Sequence, residues 1–345
     1  MTKNDELLIS ILTPFYNSEK YMECPHQALL NQTYKNWEWI CIDDNSTDNT
    51  LKILKDWAKK DSRIKVFHRE KNGGKAAVTV NTGLLHCSGK YVQFLGHDDE
   101  ITPETLSKIV KRIKETNADI VLPDALIINK QIDPKLENIE IIAVSKGEHN
   151  DFPINDRNVI LTPREACKLS LNWRIHGFGC FSLELLNKFK ICEEGMNGDE
   201  YSTRLFFLNA NKVAFCTGCY KYIRRPTSIT NKPSVKWYDV FKTEEKLSKL
   251  VRENKFDKES LKIVEKTTLY NYNSRLIKYC VDREIFSKAE RKEIEAILKH
   301  GRLLILKYSG ISQALKTSIK YYKIFLYYKI WKYLGNKLKK KGIIQ

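Results

Sequence analysis

Nowhere in its 345 residues does the chain hold the run of about 18 uncharged apolar positions that a membrane-crossing helix needs. Residues 1–8 are polar and the apolar run behind them is short, so the basic-then-apolar pattern of a secretory signal is missing too. The expectation is a cytoplasmic protein. Of nine cysteines only Cys216 and Cys219 form a CxxC, and without a second such pair a zinc ribbon has little support. An odd set of dispersed thiols fits a reducing compartment better than a disulfide framework. The GxxxxGK(S/T) spacing of a phosphate-cradling loop is absent, and no segment repeats another. Acidic residues vanish from the C-terminal end: positions 301–345 carry eleven Lys or Arg and eight aromatics but no Asp or Glu.

What is present suits a folded protein, 42% hydrophobic and 29% charged, long enough for one large domain or two unequal ones. The formal charge of +17 makes nucleic acid the first partner to consider. Its concentration in one aromatic-rich tail, behind a more balanced body, argues against that reading. Along the body, short apolar runs at 8–13, 37–42, 64–68, 91–95 and 120–122 read as strands. Helical spacing separates them: over 18–31, from a Ser46 or Thr47 cap through Lys60, over 75–87, and from Pro103. Such alternation implies crossover connections and a mostly parallel sheet with helices on both faces. Residues 125–160 read as irregular, 161–230 as mixed and everything from about 235 onward as helical. The predicted architecture is an α/β domain over residues 1–235 followed by a helical, basic and aromatic region over 236–345.

In a sheet of this kind ligands bind beyond the carboxyl ends of the strands. Each polar cluster follows a strand: Tyr16-Asn17, Asp43-Asp44, Asn72-Gly73-Gly74 and Asp98-Asp99. Four clusters distant in sequence would thus line one crevice. Two carboxylates at a strand end suit a hard divalent cation able to bridge two phosphates; a solvated turn or the cap of the helix after Pro103 would use them otherwise. Asp43-Asp44 suits the N–H of a nucleobase, or again only a helix cap. Gly73-Gly74 would let the backbone approach a phosphate, with Lys75 adding charge.

In order and spacing these stretches resemble the family 2 glycosyltransferases of the GT-A fold. The matching segments are Ile9-Ser-Ile-Leu-Thr-Pro-Phe-Tyr-Asn17, Ile42-Asp-Asp-Asn-Ser-Thr-Asp-Asn-Thr50, Asn72-Gly-Gly-Lys-Ala-Ala through Asn81-Thr-Gly83, and Gly89-Lys-Tyr-Val-Gln-Phe-Leu-Gly-His-Asp-Asp99 with Pro103. The resemblance covers residues 8–125 strongly and 160–232 moderately. It implies inverting transfer of a hexose or N-acetylhexosamine from a nucleotide-sugar, UDP-linked, to a hydroxyl of a glycan acceptor in bacterial surface polysaccharide or lipooligosaccharide synthesis. Residue by residue, it implies that Pro14, Tyr16 and Asp44 hold the base, Tyr16 stacking on it and Asp43 beside them, and that Asn72, Gly74 and Lys75 lie along the nucleotide. Asp98, with Asp99 adjacent, would hold Mn2+ or Mg2+, and His97 abuts that pair. Two positions depart from the family: Gly96 stands where its DxD pattern has the first Asp, and Val80 where an Arg often precedes Asn81.

Direct displacement also needs a base for the acceptor's proton. Gly198-Asp199-Glu200, read as a loop before a helix over 201–208, matches the family's late acidic motif and leaves Asp199 and Glu200 both open, with Asp199 favoured. Lys221-Tyr222-Ile223-Arg224-Arg225 matches the loop after the last strand, where Arg224 or Arg225 would steady the departing diphosphate. Trp173, His176 and Phe178 resemble the acceptor-side segment, although core packing is the commoner fate of Trp and Phe.

Residues 303–338 interleave Leu, Ile, Tyr, Phe and Trp with Lys, which suits the headgroup layer of an anionic membrane. The expectation is a peripheral enzyme on the inner face of the cell membrane, near a lipid-linked glycan. A helix packed on the catalytic domain with its lysines in water is the alternative. Three rival readings concern the whole protein. A nucleotidyltransferase would want a basic, glycine-rich loop at the first strand, where residues 14–17 hold no glycine. The others are a nucleic-acid binder driven by charge and a catalytically impaired glycan-binding relative, the last suggested by Gly96.

Overall fold

A computed structural model of the chain describes residues 6–129, 140–143, 156–224 and 234–340. Its contacts divide into two units, Met1–Glu193 with Gly198–Ser228, and Glu194–Asn197 with Ile229–Gln345.

The first unit is built on four short apolar strands that the sequence marks plainly: β1 (Ile9–Phe15), β2 (Trp37–Asp43), β3 (Ile64–His68) and β4 (Tyr91–Phe94). Every residue of β2 is buried, as expected of a strand covered on both faces. Trp39 brings its polar edge inside at the cost of one hydrogen bond, which Thr13 Oγ1 supplies at 2.9 Å from the indole nitrogen. Between these strands run α1 (Glu23–Leu30), α2 (Thr50–Lys60) and α3 (Ala76–Leu84). In α2 the buried residues are Thr50, Leu54 and Trp57, one stripe at helical spacing, while Lys59 and Lys60 sit in the last turn facing its dipole. Helix α1 starts at Glu23 rather than near residue 18, because residues 18–22 form a turn in which Tyr21 and Met22 both donate to Ser18 O.

After β5 (Glu100–Ile101), α4 (Thr105–Thr116) buries Leu106, Ile109, Val110 and Ile113 and ends on Asn117 at φ +51°, the left-handed stop that Asn tolerates. Then follow β6 (Ile120–Asn129), β7 (Glu140–Ala143), β8 (Ile160–Leu161), α5 (Pro163–Ser170), β9 (Cys180–Ser182), α6 (Leu183–Phe189), α7 (Gly198–Asn209) and β10 (Val213–Arg224). Strands β6 and β7 carry pairing into the stretch expected to be irregular, with Leu126 opposite Ala143. Among the described residues the sheet order is β3-β2-β1-β4-β9-β6-β10-β5. The pairs β1–β2, β2–β3, β1–β4 and β6–β10 are parallel, as the alternation required. The short strands β5, β7 and β8 pair antiparallel with β10, β6 and β10, and β9, antiparallel to both β4 and β6, joins the two parallel sets. Three residues carry too little periodicity to announce such a strand.

The second unit is helical: α8 (Phe241–Glu253), α9 (Lys258–Asp282), α10 (Lys288–Ser309) and α11 (Ile311–Lys340). Its core gathers Tyr238, Phe241, Tyr272, Leu276, Ile294, Leu298 and Leu304. Helix α10 opens with a capping box, Ser287 accepting from Glu290 N–H and Glu290 from Ser287 N–H. Among the described residues no helix is long and apolar enough to cross a membrane.

Candidate functional site

Strand register brings the sequence-distant clusters together. Phe15 pairs with Asp43, Asp43 with His68, and Leu12 with Phe94, so the loops after β1, β2, β3 and β4 leave the same edge of the sheet. Two cavities of about 530 and 410 Å3 open elsewhere, at the amino ends of the strands, with Lys90, Tyr91 and Asn117 in both linings. They stand apart from the carboxyl-end loops, where a sheet of this kind binds ligands.

At the end of β1, Pro14 is half-buried and Tyr16 is 44% exposed. Asn17 and Asn45 take positive φ, and their turns lock together: Asn17 N–H donates to Ser46 Oγ at 3.0 Å and Thr47 N–H to Asn17 Oδ1 at 2.8 Å. Asp43 is fully buried, with Oδ2 2.8 Å from His68 Nδ1 and accepting Ser46 N–H, whereas its Oδ1 has no hydrogen-bond partner among the described residues. Asp44 is committed to protein. Its carboxylate takes Arg69 Nη1 at 2.5 Å and Gly73 N–H at 2.9 Å, and its carbonyl takes Asn72 Nδ2 at 2.9 Å. A Cβ at Gly73 would fall 2.2 Å from Arg69 Nη1, so a side chain there would push that guanidinium off Asp44. Gly74 turns at φ +72° under a 2.7 Å bond from its N–H to Asn72 Oδ1, and Lys75 reaches Glu193 O at 3.1 Å.

The loop after β4 holds His97 and Asp98 half-buried and Asp99 at 3% exposure. Both oxygens of Asp99 are engaged, by Tyr220 Oη at 2.6 Å and by Ile223 N–H at 2.9 Å. Of the expected metal pair, then, Asp99 ties the loop to β10. A Cβ at Gly96 would sit 2.3 Å from Asp99 Oδ2, so the first Asp of a DxD pattern would have to displace the Asp99 carboxylate. Among the described residues no three His, Cys, Asp or Glu side chains cluster closely enough to hold a metal unaided.

The acidic motif Gly198-Asp199-Glu200 lies in the first turn of α7, not in a loop before it. Gly198 packs so closely that a Cβ would meet Cys192 O at 2.0 Å, and Ser202 Oγ bridges the same two residues, accepting Cys192 N–H and donating to Gly198 O. Asn81 secures the preceding stretch, donating to Ile191 O and Glu193 Oε1 at 2.8 Å each and accepting Ile191 N–H at 2.9 Å. Glu200 pairs with the buried Arg204 one turn on, whose other guanidinium nitrogen donates to Ser170 O at 2.7 Å. Asp199 keeps an exposed surface but is crowded by protein. This desolvation raises its carboxyl above the ordinary value, against the pull of its own and Glu200's backbone N–H and of Arg204.

Of the residues expected on the acceptor side, Trp173 is 47% exposed, at φ +62° and 5.3 Å from the Arg204 guanidinium. His176 belongs to the interior: Nε2 bonds Pro123 O at 2.9 Å, Nδ1 accepts Phe178 N–H, and burial drives its pKa down to about 4. Phe178 stacks on Tyr220 at 4.8 Å and on Tyr222 at 5.4 Å. Arg224 is exposed at the end of β10, and Arg225 lies outside the described residues. Tyr222 is where the separate motifs meet. Burial raises its hydroxyl pKa, Asp99, Asp98 and Asp199 push the same way, and Arg224 opposes them. Tyr222, Tyr220, His68, Arg69 and Asn81 were not singled out in the sequence; their bonding depends on pairings that no local pattern shows.

A parallel sheet with acidic loops at its carboxyl edge, joined through a reversed strand to a second parallel set, is the GT-A arrangement. The chain belongs to glycosyl transferase family 2, whose pattern matches residues 10–183. It is 29% identical over 234 residues, 64% of its own length and 72% of the relative's, to glycosyltransferase GlyG of Streptococcus pneumoniae. It is 36% identical over 126 residues to the UDP-Glc:alpha-D-GlcNAc-diphosphoundecaprenol beta-1,3-glucosyltransferase WfgD of Escherichia coli, covering 36% of this chain and 48% of that one. Many of the relatives are thus matched over less than half their length. In structure it is similar to S. aureus TarS 1-349 in complex with UDP-GlcNAc, with a TM-score of 0.66 at 19% identity over 94% of this chain and 92% of that one.

Proposed function

We propose that this chain transfers a sugar from a UDP-sugar to a hydroxyl of a lipid-linked or surface glycan, by direct displacement with inversion. The observation that carries the reading is the strand register, which sends the loops after β1, β2, β3 and β4, with Tyr16, Asp44, Asn72 and Asp98, off one edge of the sheet. Tyr16 offers an exposed ring for the base. Asp44, Arg69, Asn72 and Gly74 hold the loop that carries Lys75 toward the nucleotide.

Asp199 takes the proton from the acceptor hydroxyl; a raised carboxyl pKa makes it a better base than an ordinary aspartate. Glu200 is the poorer candidate because Arg204 already holds it. The donor set fits a hard divalent cation, since Mg2+ or Mn2+ is commonly held by one or two carboxylates with substrate phosphates completing the shell. Asp98 would hold it, and the ion would supply positive charge for the departing diphosphate. Arg224 stands ready to bind the same group. That WfgD is named for a diphosphoundecaprenol-linked acceptor and TarS is seen with UDP-GlcNAc supports the donor and acceptor classes.

The reading is tested by melting the protein with a panel of nucleotides and nucleotide-sugars, with and without Mn2+, and following donor turnover. A UDP-sugar at a hundred times its Kd should stabilise by about 2.7 kcal/mol, and Asp98→Ala should remove the Mn2+ dependence. A response to no UDP compound, or turnover untouched in Asp98→Ala, sinks it.

A further inference from the structure

Helix α11 packs through one side and leaves another bare. Thr317 is buried and Ala314 joins the core of the helical unit. Ile311, Leu315, Ile319, Tyr322, Leu326, Ile330 and Tyr333 are 47–75% exposed. Their spacing is 4-4-3-4-4-3, and at 100° per residue they fall in one sector of about 100° that faces away from Thr317. The stripe runs about 33 Å along the helix axis. Soluble proteins rarely expose a continuous apolar surface of that length without a use for it. Lys316, Lys320 and Lys323, all exposed, line one flank.

We infer that this face of α11 lies flat on an anionic lipid leaflet, the apolar stripe entering the headgroup–acyl boundary and the lysines meeting lipid phosphates. Charge decides among the possible covers. Positions 301–345 hold no acidic residue, so a second copy laid on the same stripe would oppose lysines to lysines, where paired helices need complementary flanks. Nucleic acid would satisfy the lysines but leave Ile, Leu and Tyr against a polar backbone. An anionic leaflet satisfies both, apolar area below and negative potential at the surface. Lying in the surface also agrees with the absence of a bilayer-crossing helix among the described residues. The inference adds a location to the proposed reaction and does not depend on it.

The test is flotation of the full chain, without donor, on vesicles of phosphatidylcholine alone or with about a third phosphatidylglycerol. Binding is expected to the anionic vesicles and to weaken with salt. Each lysine is worth about fivefold, so Lys316→Gln/Lys320→Gln/Lys323→Gln together should lose roughly a hundredfold in affinity. Leu315→Ser with Leu326→Ser should abolish binding, while circular dichroism and melting stay at parent values because both sites are exposed. Equal flotation on neutral vesicles, or failure to float at all, overturns the inference. So does a concentration-dependent dimer, seen by light scattering, that disappears in the Leu315→Ser/Leu326→Ser variant. Each readout is independent of transfer, so failure here leaves the proposed reaction standing, and the reverse.

Discussion

Replacing Gly96 by alanine tests whether the structure explains the missing aspartate of the DxD pattern. The new Cβ would fall 2.3 Å from Asp99 Oδ2 and 2.9 Å from its Cγ, too close for either atom to stay. Asp99 has nowhere easy to go, being 3% exposed and held by Tyr220 Oη and Ile223 N–H. Moving it breaks the 2.6 Å bond from Tyr220, whose hydroxyl also accepts Gly96 N–H at 3.0 Å. A hydrogen bond to a charged group is worth about 1.5–3 kcal/mol, and overpacking adds about 1–3 kcal/mol that overlaps with it. A net loss of roughly 2–4 kcal/mol should lower the Tm of a unit this size by roughly 5–15 °C. Scanning calorimetry reads this directly. The cause is isolated by a cycle with Tyr220→Phe. If alanine acts by dislodging Asp99 from Tyr220, the second change should cost about 1 kcal/mol less in the Gly96→Ala background than alone. Additive losses, or a Tm within about 1 °C of the parent, would refute the reasoning. Gly96→Asp, which restores the family's usual residue, should do worse than alanine in stability and gain nothing in turnover.

Asp199→Asn should abolish transfer while a UDP-sugar still raises the Tm; an active variant would reassign the base. Because folding raises the Asp199 pKa, the native state binds more protons than the unfolded chain, and stability is lost as pH rises from the ordinary aspartate value through the raised one. The variant should therefore melt higher than the parent at neutral pH, with the advantage shrinking in acid. In the parent, kcat/KM should fall in acid with an apparent pKa above an ordinary aspartate's, a limb that Glu200→Gln leaves in place. Glu200→Gln should instead destabilise by up to about 3 kcal/mol, since it leaves Arg204, only 6% exposed, without its counter-charge; denaturant midpoints check this. His176, with its pKa lowered to about 4, gives stability that is present above pH 6.5 and lost as pH falls toward 4, up to about 3 kcal/mol. In His176→Gln that acid-side loss should be smaller, as comparison of melting curves from pH 7 to pH 4 would show.

How much of this was legible in the sequence depended on how local each signal was. Strands β1 to β4 announced themselves because each is a short apolar run stopped by a polar cluster, and the parallel pairing followed from the helices between them. Strand β9 was hidden because its three residues owe their conformation to β4 and β6 on either side. The turn at 18–22 was read as helix because its apolar spacing continues that of α1, while the backbone is diverted by Ser18. In the proposed site, Asp98 and Asp199 were legible as candidates because their chemistry is unusual for their position. The residues that brace the surrounding loops were not: Arg69 meets Asp44 across 25 residues and Asn81 meets Ile191 across 110. His176 was misread as an acceptor contact because a buried, neutral histidine and an exposed one look alike in sequence.

The acidic doublets follow a common logic. Neighbouring carboxylates turned into one cavity repel each other, so a site that needs one charge does better to employ the second elsewhere. At 98–99, the second residue faces inward to Tyr220 and Ile223. At 199–200, where helical geometry turns successive side chains about 100° apart, Glu200 is taken up by Arg204. In the first doublet Asp44 clamps Arg69 and Gly73, while Asp43 is held inside by His68 and Ser46. On the proposed reaction, the pairs at 98–99 and 199–200 each supply one group for the chemistry and one that fixes the loop presenting it. Such a division predicts opposite signatures for the two members. Neutralising Asp98 or Asp199 should cost turnover without lowering the melting temperature, whereas neutralising Asp99 or Glu200 should cost the melting temperature first.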